Sequence, residues 1–319
     1  MTTSRHLVLG AGQVGTEIAR QLAAAGEPVS IATRSGRDPG IAGVVPVRMD
    51  ATDPAAVRAV AAGAAVAYFA VQPAYTRWPE DFPPLVDGVL GGLTGSATRL
   101  VVVDNLYMHG PTGGAPVRED LPYAATNRKG RARAAIATRL LEADRAGDVR
   151  VVIGRGSDFF GPGATDTVVG ERFFGPIVVG GRADVYGRPD LPHTFTYVPD
   201  FARALIELGR HEDACGRAWH VPSAPAVSML AFAEAAARAA GHPLRTRTVG
   251  RLMLRMAGFF VPEAREMIEM AYEFEEPFVV DDSAIRAAYG ISHTPLEDSI
   301  PATVAWYADE AARSGTRSA

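Results

Sequence analysis

Three glycines near the N-terminus, Gly10, Gly12 and Gly15 in LVLGAGQVGTEIARQL, have the G-x-G-x-x-G spacing that lets a backbone cradle a pyrophosphate. The first glycine permits a tight turn, the second lets the backbone approach the phosphates, and the third lets the next helix pack closely. Gln13 and Val14 start that helix, whose N–H groups and positive dipole end face an anion. A ribose-binding acid is ordinarily found near the end of the second strand. No acid occurs from Val29 to Arg37. Thr33, Arg34, Ser35 and Arg37 stand there instead, and a guanidinium fork with hydroxyl donors suits a 2′-phosphate. NADP is expected ahead of NAD.

A second set of residues could move a proton. Lys129 is the only lysine among 32 basic residues. Arginine serves everywhere else, so this position asks for a compact ammonium rather than a planar fork. Tyr123 lies six residues earlier. At about 100° per residue on an unbroken helix the two would differ by roughly 240° and could not converge. Pro122 sets Tyr123 ahead of the helix, where a loop can fold it inward. Tyr107 and His109 lie just past the fifth strand, at the carboxyl edge where open α/β sheets bind ligands. Histidine there can act as acid or base. Asn105 can hydrogen-bond a carbonyl but cannot relay a proton as a hydroxyl does. Ser157, with Asp158, follows the sixth strand and would border cofactor or substrate. No His/Asp/Glu set has metal-ligand spacing, and a single cysteine, Cys215, excludes a disulfide framework. No metal is expected.

The elements that must position these residues alternate. Strands are expected at His6–Leu9, Val29–Thr33, Val44–Met49, Ala65–Val71, Leu100–Val103 and Val149–Ile153. Helices are expected at Val14–Ala25, after Asp53-Pro54, around Leu85–Leu93, and from Asn127 to Arg145. This is the pattern of a Rossmann-type, doubly wound parallel α/β sheet. A dinucleotide-binding domain is assigned to residues 1–160 and a smaller C-terminal substrate-binding lobe to 161–319. Residues 193–225 are expected to return to the sheet through strands at Thr196–Val198 and Trp219–Val221. Later helices are expected at Asp200–Gly209, Val227–Ala240, Pro262–Tyr272 and Pro295–Arg313. Phe173-Phe174 and Phe259-Phe260 are candidates for lining a pocket in the lobe. A net charge of −4 gives no footprint for nucleic acid, and no stretch has the length of a membrane span. A cytoplasmic protein acting on a small molecule is the simplest expectation.

In order along the chain, several segments resemble the extended short-chain dehydrogenase/reductases, the group that includes NAD(P)-dependent epimerases and dehydratases. These are the glycine loop, Asp50-Ala51-Thr52-Asp53, Tyr68 to Pro73, VVVDNLYMHGP, Arg155 to Pro162, and HTFTYVPDFARAL with Asp200 as helix cap. The resemblance implies that Asp50 and Ala51 lie beside the adenine and that Ala70, Val71 and Gln72 follow the inner ribose. It implies that Lys129 holds the nicotinamide ribose. The family's catalytic tyrosine precedes its lysine by four residues; here Ala125 stands at that place, and Asp104-Asn105 stand where the family has Ser or Thr. The expectation is an NADP-dependent oxidoreductase for a small carbonyl or alcohol, with Asn105 orienting the carbonyl and Tyr123, Tyr107 or His109 as a non-standard proton donor. Two alternatives are a sugar-nucleotide epimerase or dehydratase, and a dinucleotide-binding sensor or scaffold without redox turnover. The helices at Leu85–Leu93 and Asn127–Arg145 would pair in a homodimer.

Overall fold

The computed structural model describes residues 4–317, which divide into two compact units. The first contains Met1–Gly110, Pro122–Arg155 and Phe201–Val221; the second contains Pro111–Leu121, Gly156–Asp200 and Pro222–Ala319.

The first unit is built on largely buried apolar strands, β1 (Arg5–Leu9), β2 (Val29–Thr33), β4 (Ala64–Phe69), β5 (Arg99–Asp104) and β6 (Val151–Arg155), with the mostly exposed β3 (Val44–Arg48) at one edge. The strand Ala218–His220 pairs with β6 and completes a seven-stranded sheet. Its order is Ala218–His220, β6, β5, β4, β1, β2, β3, and every pairing is parallel. Continuous apolar runs suit this arrangement, since helices cover both faces of a parallel sheet. The order reverses between β1 and β4, so their carboxyl ends form the topological switch point.

Four helices fill the early connections: α1 (Gln13–Ala24), α2 (Pro54–Ala61), α3 (Trp78–Leu93) and α4 (Arg128–Arg145). Helix α1 buries Val14, Ile18 and Leu22, one residue per turn. In α2, Asp53 caps the start by accepting from Ala55 N. Helix α3 begins seven residues before the expected Leu85, despite Pro83 and Pro84 in its interior. An interior proline costs about 3 kcal/mol. Trp78, Phe82, Val86, Val89, Leu90 and Leu93 lie on one buried stripe, each contributing about 1.5–3 kcal/mol, and their sum prevails.

The second unit has its own aromatic core. Phe173 and Phe174 are both fully buried, because the helix Glu171–Val178 has Met229–Ala240 and Leu296–Arg317 packed against it. Phe232 meets both, at ring distances of 5.7 and 5.9 Å. Three two-stranded sheets join the loops, including Phe195–Tyr197 with Asp158–Phe160. The strand expected at Thr196–Val198 therefore does not return to the large sheet; only Ala218–His220 does. Phe259 and Phe260 are 80% and 88% exposed. Among the described residues, no helix is long and apolar enough to cross a membrane.

Candidate functional site

The glycine loop joins β1 to α1 at the switch point. Gly10 has φ +100°, and a Cβ there would lie 2.8 Å from the Ala70 carbonyl oxygen. A Cβ on Gly15 would overlap the Gly10 carbonyl oxygen. Both positions are closed to any larger residue by the protein itself. Gly12 is different: it is the exposed N-cap of α1, and a Cβ there meets nothing within 4 Å. The space above the helix N-terminus is therefore open, as a cradle for phosphate requires. Gln13 and Val14 form the first helical turn, which has no acid of its own.

Around this loop stand the other expected dinucleotide contacts. Ala70 donates its N–H to Leu9 O (2.9 Å), and half-buried Val71 and exposed Gln72 follow. After β2, Thr33 Oγ1 accepts from Gly36 N (3.0 Å) and Ser35 Oγ from Arg37 N (3.2 Å). The hydroxyls shape a turn that leaves Arg34 and Arg37 exposed. Asp50 is exposed and Ala51 buried, beyond β3. Hydrogen bonds from the N–H and hydroxyl of Thr52 hold the Asp50 carboxyl below its usual range, with a smaller push from Arg34.

At the other side of the switch point, β5 and β6 end together, with Asp104 and Arg155 paired in register. Asp104 does not face solvent. Its Oδ2 accepts from Arg155 Nε (3.1 Å) and its Oδ1 from Arg133 Nη1 (3.3 Å), and the three side chains are at most 5% exposed. Arg133 lies between Trp78 and Phe82, with Cζ 4.2 and 4.4 Å from the ring centroids. Burial holds its guanidinium below the usual arginine range, and Asp104 opposes that.

Helix α4 starts at Arg128, so residues 122–127 are not helical, and Asn127 caps the helix by accepting from Gly130 N (2.7 Å). A Cβ on Gly130 would overlap Ala125 Cβ, so glycine there admits the Ala125 segment against the helix. Lys129 is fully buried in the first turn; Nζ donates to Tyr75 O (2.9 Å) and stands 4.1 Å from the Tyr75 ring centroid. Tyr123 folds inward, as a loop residue can. It packs on the main core, and its hydroxyl oxygen accepts from Arg155 Nη2 (2.6 Å).

The remaining candidates are also near. His109 Nε2 lies 3.5 Å from Arg155 Nη1 and Nδ1 lies 3.3 Å from Pro122 O. A guanidinium only donates and a carbonyl only accepts, so both contacts are met by a neutral imidazole with its hydrogen on Nδ1. The Tyr107 ring stacks on Trp78 at 5.8 Å. Asn105 is half-buried and its Oδ1 accepts from Tyr107 N (3.3 Å). Ser157 belongs to the second unit: its N–H donates to Thr196 Oγ1 (2.9 Å), and its buried Oγ has no hydrogen-bond partner among the described residues. In the same unit His193 Nε2 meets Asp158 Oδ2 at 2.7 Å. Asp200 binds the N–H and hydroxyl of Thr294.

Lys129, Tyr123, Tyr107, His109 and Asn105 thus all lie in one unit, around the ends of β5 and β6. Asp104, Arg133 and Arg155 were not foreseen as members of this cluster. One signal was present: Arg133 is four residues after Lys129 and so shares its helix face. Among the described residues no group of His, Cys, Asp or Glu could hold a metal ion.

No model of a known protein family and no curated protein matches the sequence. Solved structures do match in fold. The UDP-glucuronic acid 4-epimerase from Bacillus cereus in complex with NAD is 15% identical, with a TM-score of 0.75, over 96% of this chain and 99% of that one. A nucleoside-diphosphate-sugar epimerase from Pseudomonas aeruginosa is 19% identical, with a TM-score of 0.74, over 96% and 98%. RMD from Pseudomonas aeruginosa complexed with NADPH is 18% identical, with a TM-score of 0.72, over 96% and 100%. The chain therefore shares the Rossmann-type fold of these structures along nearly its whole length.

Proposed function

We propose that the protein is an NADP-dependent oxidoreductase that interconverts a small carbonyl compound and its alcohol. The observation that carries this reading is the pairing of an open phosphate cradle at Gly12 with a tyrosine hydroxyl held by a cation at the same sheet edge. When bound, the dinucleotide supplies or takes up a hydride. Gly10, Gly12 and Gly15 would hold its pyrophosphate, Asp50 and Ala51 its adenine end, and Thr33 and Arg34 its 2′-phosphate. Ala70, Val71 and Gln72 would follow the inner ribose, and Lys129 would hold the nicotinamide ribose.

Of the three candidate proton donors, Tyr123 is favoured. Its hydroxyl oxygen is held by a buried guanidinium, Arg155 Nη2 at 2.6 Å. Tyr123 accepts through its oxygen and keeps its own hydrogen to donate. Asn105 would orient the carbonyl. The likeness to NAD- and NADPH-bound epimerase-like structures supports a second reading, an epimerase or dehydratase in which the hydride returns to the substrate.

NADPH binding followed by fluorescence, then oxidation of NADPH with a panel of aldehydes and ketones, tests the proposal. Turnover lowered by about 10²–10⁴-fold, but still measurable, in Tyr123→Phe supports it. Turnover of nucleotide sugars without net change in NADP would favour the second reading, and binding without any turnover would leave a sensor or scaffold. A homodimer is proposed across α3 and α4, where Trp78, Pro83, Val86, Ala135, Ile136 and Arg139 help line a cavity of about 550 Å³. Ala135→Glu should then halve the mass seen in sedimentation.

A further inference from the structure

Arg155 ends β6 and is 0% exposed, so it touches neither solvent nor, by itself, a substrate. Its backbone is fixed on both sides: it pairs with Asp104 across the sheet, and its carbonyl accepts from Val221 N (2.9 Å). Its side chain is fixed as firmly. Nε donates to Asp104 Oδ2 (3.1 Å), Nη1 faces His109 Nε2 (3.5 Å), and Nη2 donates to the Tyr123 hydroxyl oxygen (2.6 Å). Lys129, the cation that the family resemblance would set beside the tyrosine, has its ammonium on the Tyr75 carbonyl and ring.

We infer that Arg155 is the positioning residue for proton transfer by Tyr123, supplying from a strand the positive charge that an ammonium on the helix would otherwise supply. This inference rests on the oxidoreductase reading. In the reductive direction a bound dinucleotide would supply the hydride to the carbonyl carbon, and the π pair would move to the carbonyl oxygen. The Tyr123 O–H bond breaks and its proton goes to that oxygen. The electron pair left on the phenolate faces Arg155 Nη2–H, a charge-assisted donor already in place, and water returns the proton to Tyr123. Asp104 keeps the guanidinium from turning, and His109 Nε2 faces its Nη1 edge at 3.5 Å.

A fixed donor aimed at charge that develops in the transition state is worth about 10²–10³ in kcat. The test is a double-mutant cycle with Arg155→Lys, Tyr123→Phe and the double variant, using NADPH and the best aldehyde or ketone of the panel. Arg155→Lys keeps a cation against Asp104 but loses the planar fork. Its kcat should fall about 100-fold with KM for NADPH and carbonyl within about twofold, and in the Tyr123→Phe background its further effect should vanish. Equal losses in both backgrounds, or a change in KM alone, would show that Arg155 serves only the fold. Should Arg155→Lys not fold, the tyrosine Raman difference between wild type and Tyr123→Phe decides, since Tyr123→Phe leaves the Arg155–Asp104 pair intact. A Tyr123 oxygen that accepts no hydrogen bond overturns the inference. A protein that binds NADPH but reduces no carbonyl overturns the oxidoreductase reading and the inference with it, whereas additive losses in an active enzyme overturn the inference alone.

Discussion

Replacing Asp104 by asparagine removes one negative charge between two arginines while keeping the shape of the side chain. The side chains of Asp104, Arg133 and Arg155 are 4%, 5% and 0% exposed, so water cannot take over the lost charge. Breaking a buried ion pair from one side costs about 3–5 kcal/mol, because the remaining charge stays buried and unpaired. The asparagine Oδ1 can still accept one N–H, which offsets about 1 kcal/mol. A net loss of about 2–4 kcal/mol is expected, and at about 2–4 °C per kcal/mol the Tm should fall by roughly 5–15 °C. Urea unfolding at pH 7, followed by circular dichroism, measures it. Asp120→Asn is the control: Asp120 pairs with Arg118 at 2.6 Å, but their side chains are 66% and 56% exposed, so the Tm should not move. A loss below about 1 kcal/mol for Asp104→Asn would refute the reasoning, since it would mean that the arginines are not held against a low-dielectric surround.

The glycine loop gives a pair of contrasting expectations: Gly12→Ala, with open space around its Cβ, should fold normally yet lose NADPH affinity in a fluorescence titration, whereas Gly15→Ala should also lower the Tm. Arg34→Ala should weaken NADPH more than NADH by about tenfold or more, a charge-assisted contact being worth about 1.5–3 kcal/mol; equal weakening would dismiss a 2′-phosphate role. Glu273 is buried beside Asp158, and burial, then that charge, hold its carboxyl well above the ordinary 4.5. A raised carboxyl favours the protonated folded state, so its contribution is complete below about pH 4.5 and is lost as pH rises towards the folded-state value. Glu273→Gln should therefore remove that decline and be relatively more stable at pH 8 than at pH 5 in urea melts. Phe259→Ser with Phe260→Ser should leave the Tm unchanged, because the two rings are 80% and 88% exposed, and should reduce self-association on a sizing column.

Local chemistry made most of the first unit legible. The apolar runs of the β-strands, the Asp53-Pro54 helix start and the glycine spacing are each set by residues within a turn or two of one another, and each lies where the sequence places it. The start of α3 was hidden because prolines argue locally for a break, whereas Trp78 and Phe82 commit the segment through burial in a core that only the whole sheet creates. Phe173-Phe174 and Phe259-Phe260 look alike in sequence, yet only the first pair sits on a helix packed against two others.

The cluster at the ends of β5 and β6 divides along the same line. Lys129 and Arg133 share a face because they are four residues apart on α4, which periodicity alone could reveal. The placement of Tyr123 needed Pro122 to keep it off the helix, and sequence allowed that without requiring it. Arg155 is another matter. Its contact with Asp104 exists because β5 and β6 pair in the register that sets those two residues side by side, 51 positions apart in the chain. No local pattern encodes that register; it follows from the order in which seven strands assemble. A missing Tyr-x-x-x-Lys motif therefore did not mean a missing cation at the tyrosine. The motif describes one way of bringing a charge to a phenol along a helix, and a strand end can deliver the same charge across the sheet.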